Sequence, residues 1–362
     1  MKIVEVMPEF GLAGAQRMAE SLILGLSEAG HQVYAISLFS EETSITENLH
    51  KHSVPVYFLG KKAGLDLSIF IKVFKVLKTI QPDVVHTHRY CMQYVIPAAQ
   101  LLHIKVKVHT VHNIAEKEVP EKQQKLNNWF YHHCDVVPVA ISPVVQKSIV
   151  NRYHLQNNDV PLIYNGVTRN YVHVANDCDI FNFLNIARFE PQKNHRMLIE
   201  SFKKVHDVHP KTRLTLVGDY SLGGSNAEYN AVIALIKQYK LEDSVELVGA
   251  VDDVAPYVER ADAFVLPSRY EGFPITLIEA FCAGLPVVCT AVGGVPDIVS
   301  NEENGLLTSV DAGEFAHAMI RLVEDDNLRM TLSEHAQRDS RKYSQDSMTD
   351  AYQVLFEKLI AR

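Results

Sequence analysis

The stretch AFVLPSRYEGFPITLIEAFCAGLPVVCTA (263–291) reads, in order, as strand, loop, helix and strand. AFVLPS and PVVCTA are short, apolar runs rich in β-branched or aromatic residues and bounded by turn residues. Between them ITLIEAFCAG carries apolar side chains at helical spacing and closes on a glycine. Two neighbouring strands joined through a helix run parallel, because a parallel pair needs a long crossover and a hairpin does not. The loop ahead of the helix holds an unusual feature. Two carboxylates, Glu271 and Glu279, stand eight residues apart around a Gly-Phe-Pro turn.

The same alternation runs through the rest of the chain. KIVEVM, HQVYAISLF, VPVYFL, DVVHTH and VKVHTVHN read as strands, with AQRMAESLILGLSEAG, LSIFIKVFKVLKTI and VIPAAQLL as helices between them. The polar stretch TRNYVHVANDCD (168–179) has no clear period and reads as a linker. A second alternation follows, with strands IFNFLNIARF, RLTLVGD and VELVGAV and helices MLIESFKKVHDV, AVIALIKQYK and VAPYVERA, before the opening stretch is reached. The expected fold class is α/β, two Rossmann-like, doubly wound parallel-sheet domains over residues 1–170 and 171–342. A last amphipathic helix, SMTDAYQVLFEKLIAR, lies in a terminal segment, 343–362.

Size and composition agree with two domains. The chain has 362 residues, 47% of them hydrophobic, enough for two cores and far from the composition of a disordered chain. No apolar run reaches the roughly 18–20 residues needed to cross a bilayer. MKIVEVMPEF carries acids and a proline where a signal peptide is apolar, so it reads as the first strand of a cytoplasmic protein. Five scattered cysteines (Cys91, Cys134, Cys178, Cys282, Cys289) form no CxxC pair and no zinc-ligand spacing. The net charge of −8 divides into +3 over residues 1–170 and −11 over 171–362. A mildly basic half is too weak for nucleic acid, and no nucleic-acid-binding motif is present.

Glu271 precedes the start of the helix and Glu279 lies about one turn inside it. A helix start leaves backbone N–H groups unpartnered and carries partial positive charge, which favours a phosphate. The two acids would then flank that phosphate and accept hydrogen bonds from sugar hydroxyls on either side. The alternative is a solvated loop acid and an acid that merely complements the helix dipole. A second glycine-rich strand end, CTAVGGVPDIV with Gly293 and Gly294, accompanies the pair.

The run PSRYEGFPITLIEAFCAGLPVVCTAVGGVPDIV (267–299) closely resembles the signature of the retaining, nucleotide-sugar-dependent glycosyltransferases of family 4, of the bacterial surface-polysaccharide type, with their E-x7-E pair at Glu271 and Glu279. The resemblance implies the GT-B architecture, two Rossmann-like domains facing a central cleft, with the terminal helix packing back on the N-terminal domain. It implies that Glu271 contacts the donor sugar and Glu279 the ribose, and that the backbone at Gly272, Phe273, Pro274 and Ile275 meets the diphosphate. NIARFEPQKNH matches the element that supplies Arg188 and Lys193 to the phosphates, a cationic clamp on the leaving group. Asn194 there is placed to cap the following helix.

His112, after VKVHTV, fits the histidine that reaches the donor sugar from the other domain; a structural histidine is the alternative. His86, His88 and Arg89, in VVHTHRY, are candidates for the acceptor side. PEFGLAGAQR resembles the glycine-rich turn of the first domain, with Gly14 matching its second glycine, Ala13 and Gln16 replacing a glycine and an acid, and Gly11 offered as compensation. Val251, in ELVGAVDDV, is expected beside the nucleobase, and Tyr220 stands where glycine is frequent.

The implied reaction is a metal-independent transfer from a nucleotide diphosphate sugar, UDP favoured and GDP open, to a glycan or lipid-linked glycan acceptor in surface polysaccharide synthesis. No metal and no other cofactor is expected. The setting is cytoplasmic, with peripheral contact at the inner face of the plasma membrane left open: Lys72, Lys75 and Lys78 give the helix LSIFIKVFKVLKTI a basic side. Two other functions fit the same scaffold, a UDP-GlcNAc-type epimerase and a non-catalytic nucleotide-sugar-binding partner. A nicotinamide-dependent dehydrogenase is disfavoured, because GxGxxG is missing.

Overall fold

The computed structural model describes residues 1–11, 14–167, 171, 180–220 and 226–362. Ala13, Cys178 and all of the expected linker but Tyr171 lie outside the described residues. The chain divides into two compact units, one of Met1–Thr168 with Tyr343–Arg362 and one of Arg169–Lys342.

The first unit holds β1 (Lys2–Met7), β2 (Gln32–Ser37), β3 (Val56–Phe58), β4 (Val84–His88), β5 (Val106–Val111) and β6 (Val136–Ala140). They form a parallel sheet in the order β3-β2-β1-β4-β5-β6. Helices cover both faces, so the central strands are buried on both sides and their apolar runs are nearly continuous. Alternation still sorts the faces. Ile3, Met7, Val84 and Val108 point to a core shared with Met18 and Leu22 of the helix Gly14–Glu28 and with Tyr352 and Phe356 of the helix Gln345–Ile360. Val4, Val6 and Val85 point to the other, against Ile69, Val73 and Leu77 of the helix Ser68–Ile80. That helix turns Lys72, Lys75 and Lys78 outward.

The second unit holds β7 (Phe181–Ile186), β8 (Thr212–Val217), β9 (Val245–Gly249), β10 (Ala263–Leu266), β11 (Val287–Thr290) and β12 (Leu306–Thr308). Its parallel sheet runs β12-β11-β10-β7-β8-β9. Phe183, Val265 and Val288 pack with Leu198 and Phe202 of the helix His195–Val208 and with Phe315 and Met319 of the helix Ala312–Glu324.

The two units share one topology. Each lays three strands outward to one edge, returns to the centre, and lays three toward the other. The order reverses between β1 and β4 in the first unit and between β7 and β10 in the second. At such a point successive loops leave in opposite directions and open a crevice beyond the strand ends, the usual ligand site of a Rossmann-like sheet.

Some elements depart from expectation. β6 and its flanking helices Glu121–His133 and Pro143–Tyr153 were not read from the sequence, nor were β12 and the helices Ala312–Glu324 and Asp326–Ser340. VAPYVERA forms one turn, Ala255–Val258. β10 ends at Leu266, which leaves Ser268 in the loop. The last helix starts at Gln345, where the Ser344 hydroxyl accepts from the Ser347 N–H at 3.1 Å.

Candidate functional site

At the reversal point of the second unit, β7 runs into a loop, a short 3-10 turn (Pro191–Lys193) and the helix His195–Val208, while β10 runs into the loop that carries Glu271. The two loops are laced together. The Arg269 N–H donates to the Gln192 carbonyl at 2.8 Å, and the Gln192 side-chain amide returns a bond to the Tyr270 carbonyl at 2.8 Å. The Asn194 amide donates to the Pro267 carbonyl at 3.2 Å. Asn194 therefore does not cap its helix by its side chain, contrary to expectation; it takes the left-handed conformation, φ +56°, and ties the loops instead.

This lacing places the Lys193 ammonium 2.7 Å from Glu271 Oε1, and the Ser268 hydroxyl donates to the same oxygen at 2.6 Å. Glu271 is only 4% exposed, so its charge is met by a cation and a hydroxyl rather than by water. Arg188, more exposed, pairs with Glu190 at 3.2 Å. The two cations expected as one clamp thus stand on separate acids.

Two glycines let the loops after the neighbouring strands β11 and β8 approach these two closely. A Cβ on Gly293, whose φ is +54°, would lie 1.9 Å from the Glu271 carbonyl oxygen, and the neighbouring Gly294 N–H donates to that oxygen at 3.0 Å. A Cβ on Gly218, beyond β8, would lie 1.9 Å from the Ala187 carbonyl oxygen, next to Arg188. Gly272, Phe273, Pro274 and Ile275 are buried at the start of the helix Ile275–Cys282, and Glu279, in its second turn, is partly exposed. Val251 is half-buried in the loop after β9, while Tyr220 stacks on Tyr229 with ring centres 4.4 Å apart. His195 stacks on Phe189 behind Lys193; burial and then the Lys193 charge hold its imidazole down at about 3.

The first unit gathers a different group at its reversal point. Glu5 of β1 registers with His86 of β4, and alternation puts His88 and Thr110 on the same face. His86 Nδ1 donates to Glu5 at 2.9–3.0 Å, and His88 Nε2 donates to Glu5 Oε2 at 3.0 Å. His86 Nε2 bonds the Thr110 hydroxyl at 2.7 Å, which bonds the Tyr352 hydroxyl at 2.6 Å. His88 Nδ1 meets His112 Nε2 at 2.9 Å. Glu5, His86 and His88 are wholly buried. Burial pushes the Glu5 carboxyl up, but the His86 charge and the hydrogen bonds from both imidazoles outweigh it and hold it at about 2.

His86 and His88, expected on the acceptor side, are buried in the strand interior with their ring nitrogens bonded within this group. Arg89, the next residue, is exposed. His109 bonds Thr87 at 3.0 Å and is wholly buried. His112 is partly exposed, and in the following turn burial pushes the Glu118 carboxyl up to about 7. Gly14 is the exposed first residue of its helix and Gln16 is buried. Gly11 has no positive φ and open space where a Cβ would stand, so nothing local requires glycine there.

Among the described residues, the ligand-type atoms of Glu5, His86 and His88 alone lie within 4.8 Å of one another in the manner of a metal site. Each of those atoms is engaged in a hydrogen bond inside the group, which accounts for the spacing.

Two contributors are missing from the sequence reading. Ser268 falls at the end of an apolar run that reads as strand, so it gives no site signal of its own. Glu5 had one: an acid in the middle of an apolar central strand needs a buried partner.

Comparison with known proteins agrees with this architecture. Residues 12–171 match the family model Glycosyltransferase Family 4, and residues 177–339 match Glycosyl transferases group 1. The N-acetyl-alpha-D-glucosaminyl L-malate synthase of Bacillus anthracis is 24% identical over 91% of this chain and 90% of its own. The UDP-Gal:alpha-D-GlcNAc-diphosphoundecaprenol alpha-1,3-galactosyltransferase of Escherichia coli is 26% identical over 90% of this chain and 88% of its own. Among solved structures, Anabaena HepE in complex with UDP and glucose superimposes with a TM-score of 0.86 at 19% identity, covering 99% of this chain and 100% of that one. With two sheets of one topology, an acid and a cation joined at the reversal point of the second, and both family models matched in succession, the chain belongs to the family 4 glycosyltransferases of GT-B fold.

Proposed function

We propose that this glycosyltransferase moves a sugar, with retention of anomeric configuration, from a UDP-sugar to a lipid-linked or glycan acceptor in surface polysaccharide assembly. The observation that carries the reading is the Lys193–Glu271–Ser268 group beside the start of the helix Ile275–Cys282. Both protein donors fall on Glu271 Oε1, and Oε2 is then the acceptor for a sugar hydroxyl. Lys193 keeps two further N–H donors for the diphosphate, and Arg188 adds a forked cation. The helix start contributes oriented N–H groups. Glu279 accepts from the ribose. As the diphosphate leaves, charge grows on its oxygens, and these cations stabilise that charge without a metal.

UDP is preferred because it is named with the E. coli relative and with HepE. The lipid-linked acceptor follows the same relative. A peripheral membrane contact is supported by the first unit, where Leu65, Leu67 and Ile71 are each more than 60% exposed beside Lys72, Lys75 and Lys78.

The test is mass spectrometry of UDP-glucose, UDP-galactose, UDP-GlcNAc and GDP-mannose, each alone and with a polyprenyl-diphosphate sugar, for wild type and Glu271→Ala. Transfer from a UDP-sugar, abolished in the variant and unaffected by EDTA, with the new linkage retained by NMR, supports the proposal. An epimerised sugar from donor alone, or UDP binding without turnover of any donor, would replace it with one of the two alternatives.

A further inference from the structure

The histidines of the first unit form a directed chain, and its direction can be worked out from the carboxylate at its root. An ionised carboxylate only accepts, so the proton of the Glu5–His88 bond sits on His88 Nε2. His88 is buried at a site with one carboxylate and a second imidazole, His86, already on it. A further positive charge there would be uncompensated, so His88 Nδ1 carries a lone pair. Burial and then the neighbouring His86 hold His88 down at about 4, in keeping with a neutral ring. The 2.9 Å contact between His88 Nδ1 and His112 Nε2 then needs its proton on His112 Nε2. His112 is likewise kept neutral by burial, then by His88, the Arg89 cation and the imidazoles of His109 and His86. Its other nitrogen, Nδ1, is buried and has no hydrogen-bond partner.

We infer that Glu5 and His88 are positioning residues that fix His112 as its Nε2–H tautomer, so that His112 offers Nδ1 as a hydrogen-bond acceptor for a hydroxyl of the sugar substrate. A histidine in this state takes a proton donor such as a sugar hydroxyl and rejects an unprotonated phosphate oxygen. That makes it a reader of the sugar rather than an added cation for the diphosphate. The buried Nδ1, which accepts from no protein group, is the atom to which such a hydroxyl would donate. Glu5 also holds His86, whose far nitrogen leads through Thr110 to Tyr352, so the same carboxylate braces the strand ends against the helix Gln345–Ile360.

The inference rests on the glycosyl-transfer reading for its ligand, but its first test needs no turnover. In protein labelled with ¹⁵N at histidine, two-bond ¹H–¹⁵N spectra at pH 7 assign the protonated nitrogen of each ring, with His112 identified by its loss in His112→Gln. The expected result is an unprotonated Nδ1 and a protonated Nε2 at His112. A protonated Nδ1 overturns the inference, as does one equivalent of tightly bound zinc by metal analysis, which would put a metal where these protons are placed.

Two variants then separate positioning from packing. His88→Gln keeps a donor toward Glu5 and an acceptor toward His112; His88→Phe keeps bulk and removes both. In His88→Phe the His112 signals should show mixed tautomers, and UDP-sugar turnover should fall roughly 10- to 100-fold. His88→Gln should restore the single tautomer and most of the rate. Equal rates and equal His112 spectra in the two variants would overturn the proposal. If wild type turns over no UDP-sugar, the functional reading falls while the tautomer is still decided by the spectra.

Discussion

Replacing Gly293 by alanine tests whether the glycine loop after β11 sets the position of Glu271. The new Cβ would lie 1.9 Å from the Glu271 carbonyl oxygen, 2.9 Å from its carbon and 3.0 Å from its nitrogen. A carbon rests roughly 3.3–3.6 Å from a carbonyl oxygen, so the two backbones must part by about 1.5 Å. The parting breaks the 3.0 Å bond from the Gly294 N–H to Glu271, a loss of about 1 kcal/mol. The left-handed φ of +54° costs an alanine about 1–2 kcal/mol more. Together these give roughly 2–3 kcal/mol, or about 4–12 °C in the melting temperature of a unit of this size. Gly30→Ala is the control: its φ is +86° and no atom lies within 4 Å of its would-be Cβ, so it carries the conformational cost alone. Scanning fluorimetry should therefore show a larger loss for Gly293→Ala. A shift of about 1 Å at Glu271 should also lower UDP-sugar turnover on the order of 100-fold, with Gly30→Ala near wild type. Equal melting losses, or wild-type turnover in Gly293→Ala, would refute the reasoning.

Lys193→Met leaves Glu271 buried with only the Ser268 hydroxyl, so stability should fall by roughly 2–4 kcal/mol, and Glu271→Gln in the same chain should restore part of it. UDP affinity of Lys193→Met, by calorimetry, should drop by roughly 1.5–3 kcal/mol; an unchanged affinity would take Lys193 out of the diphosphate site. His195, held at about 3, is neutral when folded and charges in the unfolded chain below its usual 6.5. Its contribution is present above pH 6.5 and is lost as the pH falls toward 3, at about 1.4 kcal/mol per unit, so His195→Phe should flatten the fall in melting temperature between pH 7 and 5. Lys75→Glu with Lys78→Glu should reduce sedimentation with anionic phosphatidylglycerol vesicles and leave melting temperature unchanged; equal sedimentation would count against the membrane reading.

The strands and helices of the central layers were legible because each carries a strong period or a solid apolar run closed by glycine or proline. Residues 113–162 were harder. The helix Glu121–His133 buries only Gln124, Asn127, Phe130 and Tyr131, half of them polar, so its pattern is weak by hydrophobicity. β12 is three residues long, too short for any period. In the second unit, motif resemblance led to Glu271 and Lys193, but not to their direct pairing, which depends on how two loops from distant parts of the chain lace through Gln192 and Asn194. Glu5 shows the opposite case. Its anomaly is visible in VEVM, yet its partners lie 81 and 83 residues away, and only strand order brings them together.

The same topology puts a carboxylate at the reversal point of each sheet, and the surroundings decide what each one does. Glu5 sits inside a strand, shut from water, with imidazole donors on both oxygens. Such an acid is sealed from a ligand by its burial, and its effect must pass outward through the groups it orients. Glu271 sits one loop beyond its strand, with both protein donors on a single oxygen. An acid held from one side keeps a free direction for a substrate. Sequence position within the strand, inside it or past its end, therefore separates the positioning role proposed for Glu5 from the contacting role proposed for Glu271. Moving the acid by two residues along β1 would keep it on the same face but carry it out of register with His86, and the orienting function would be lost with the register.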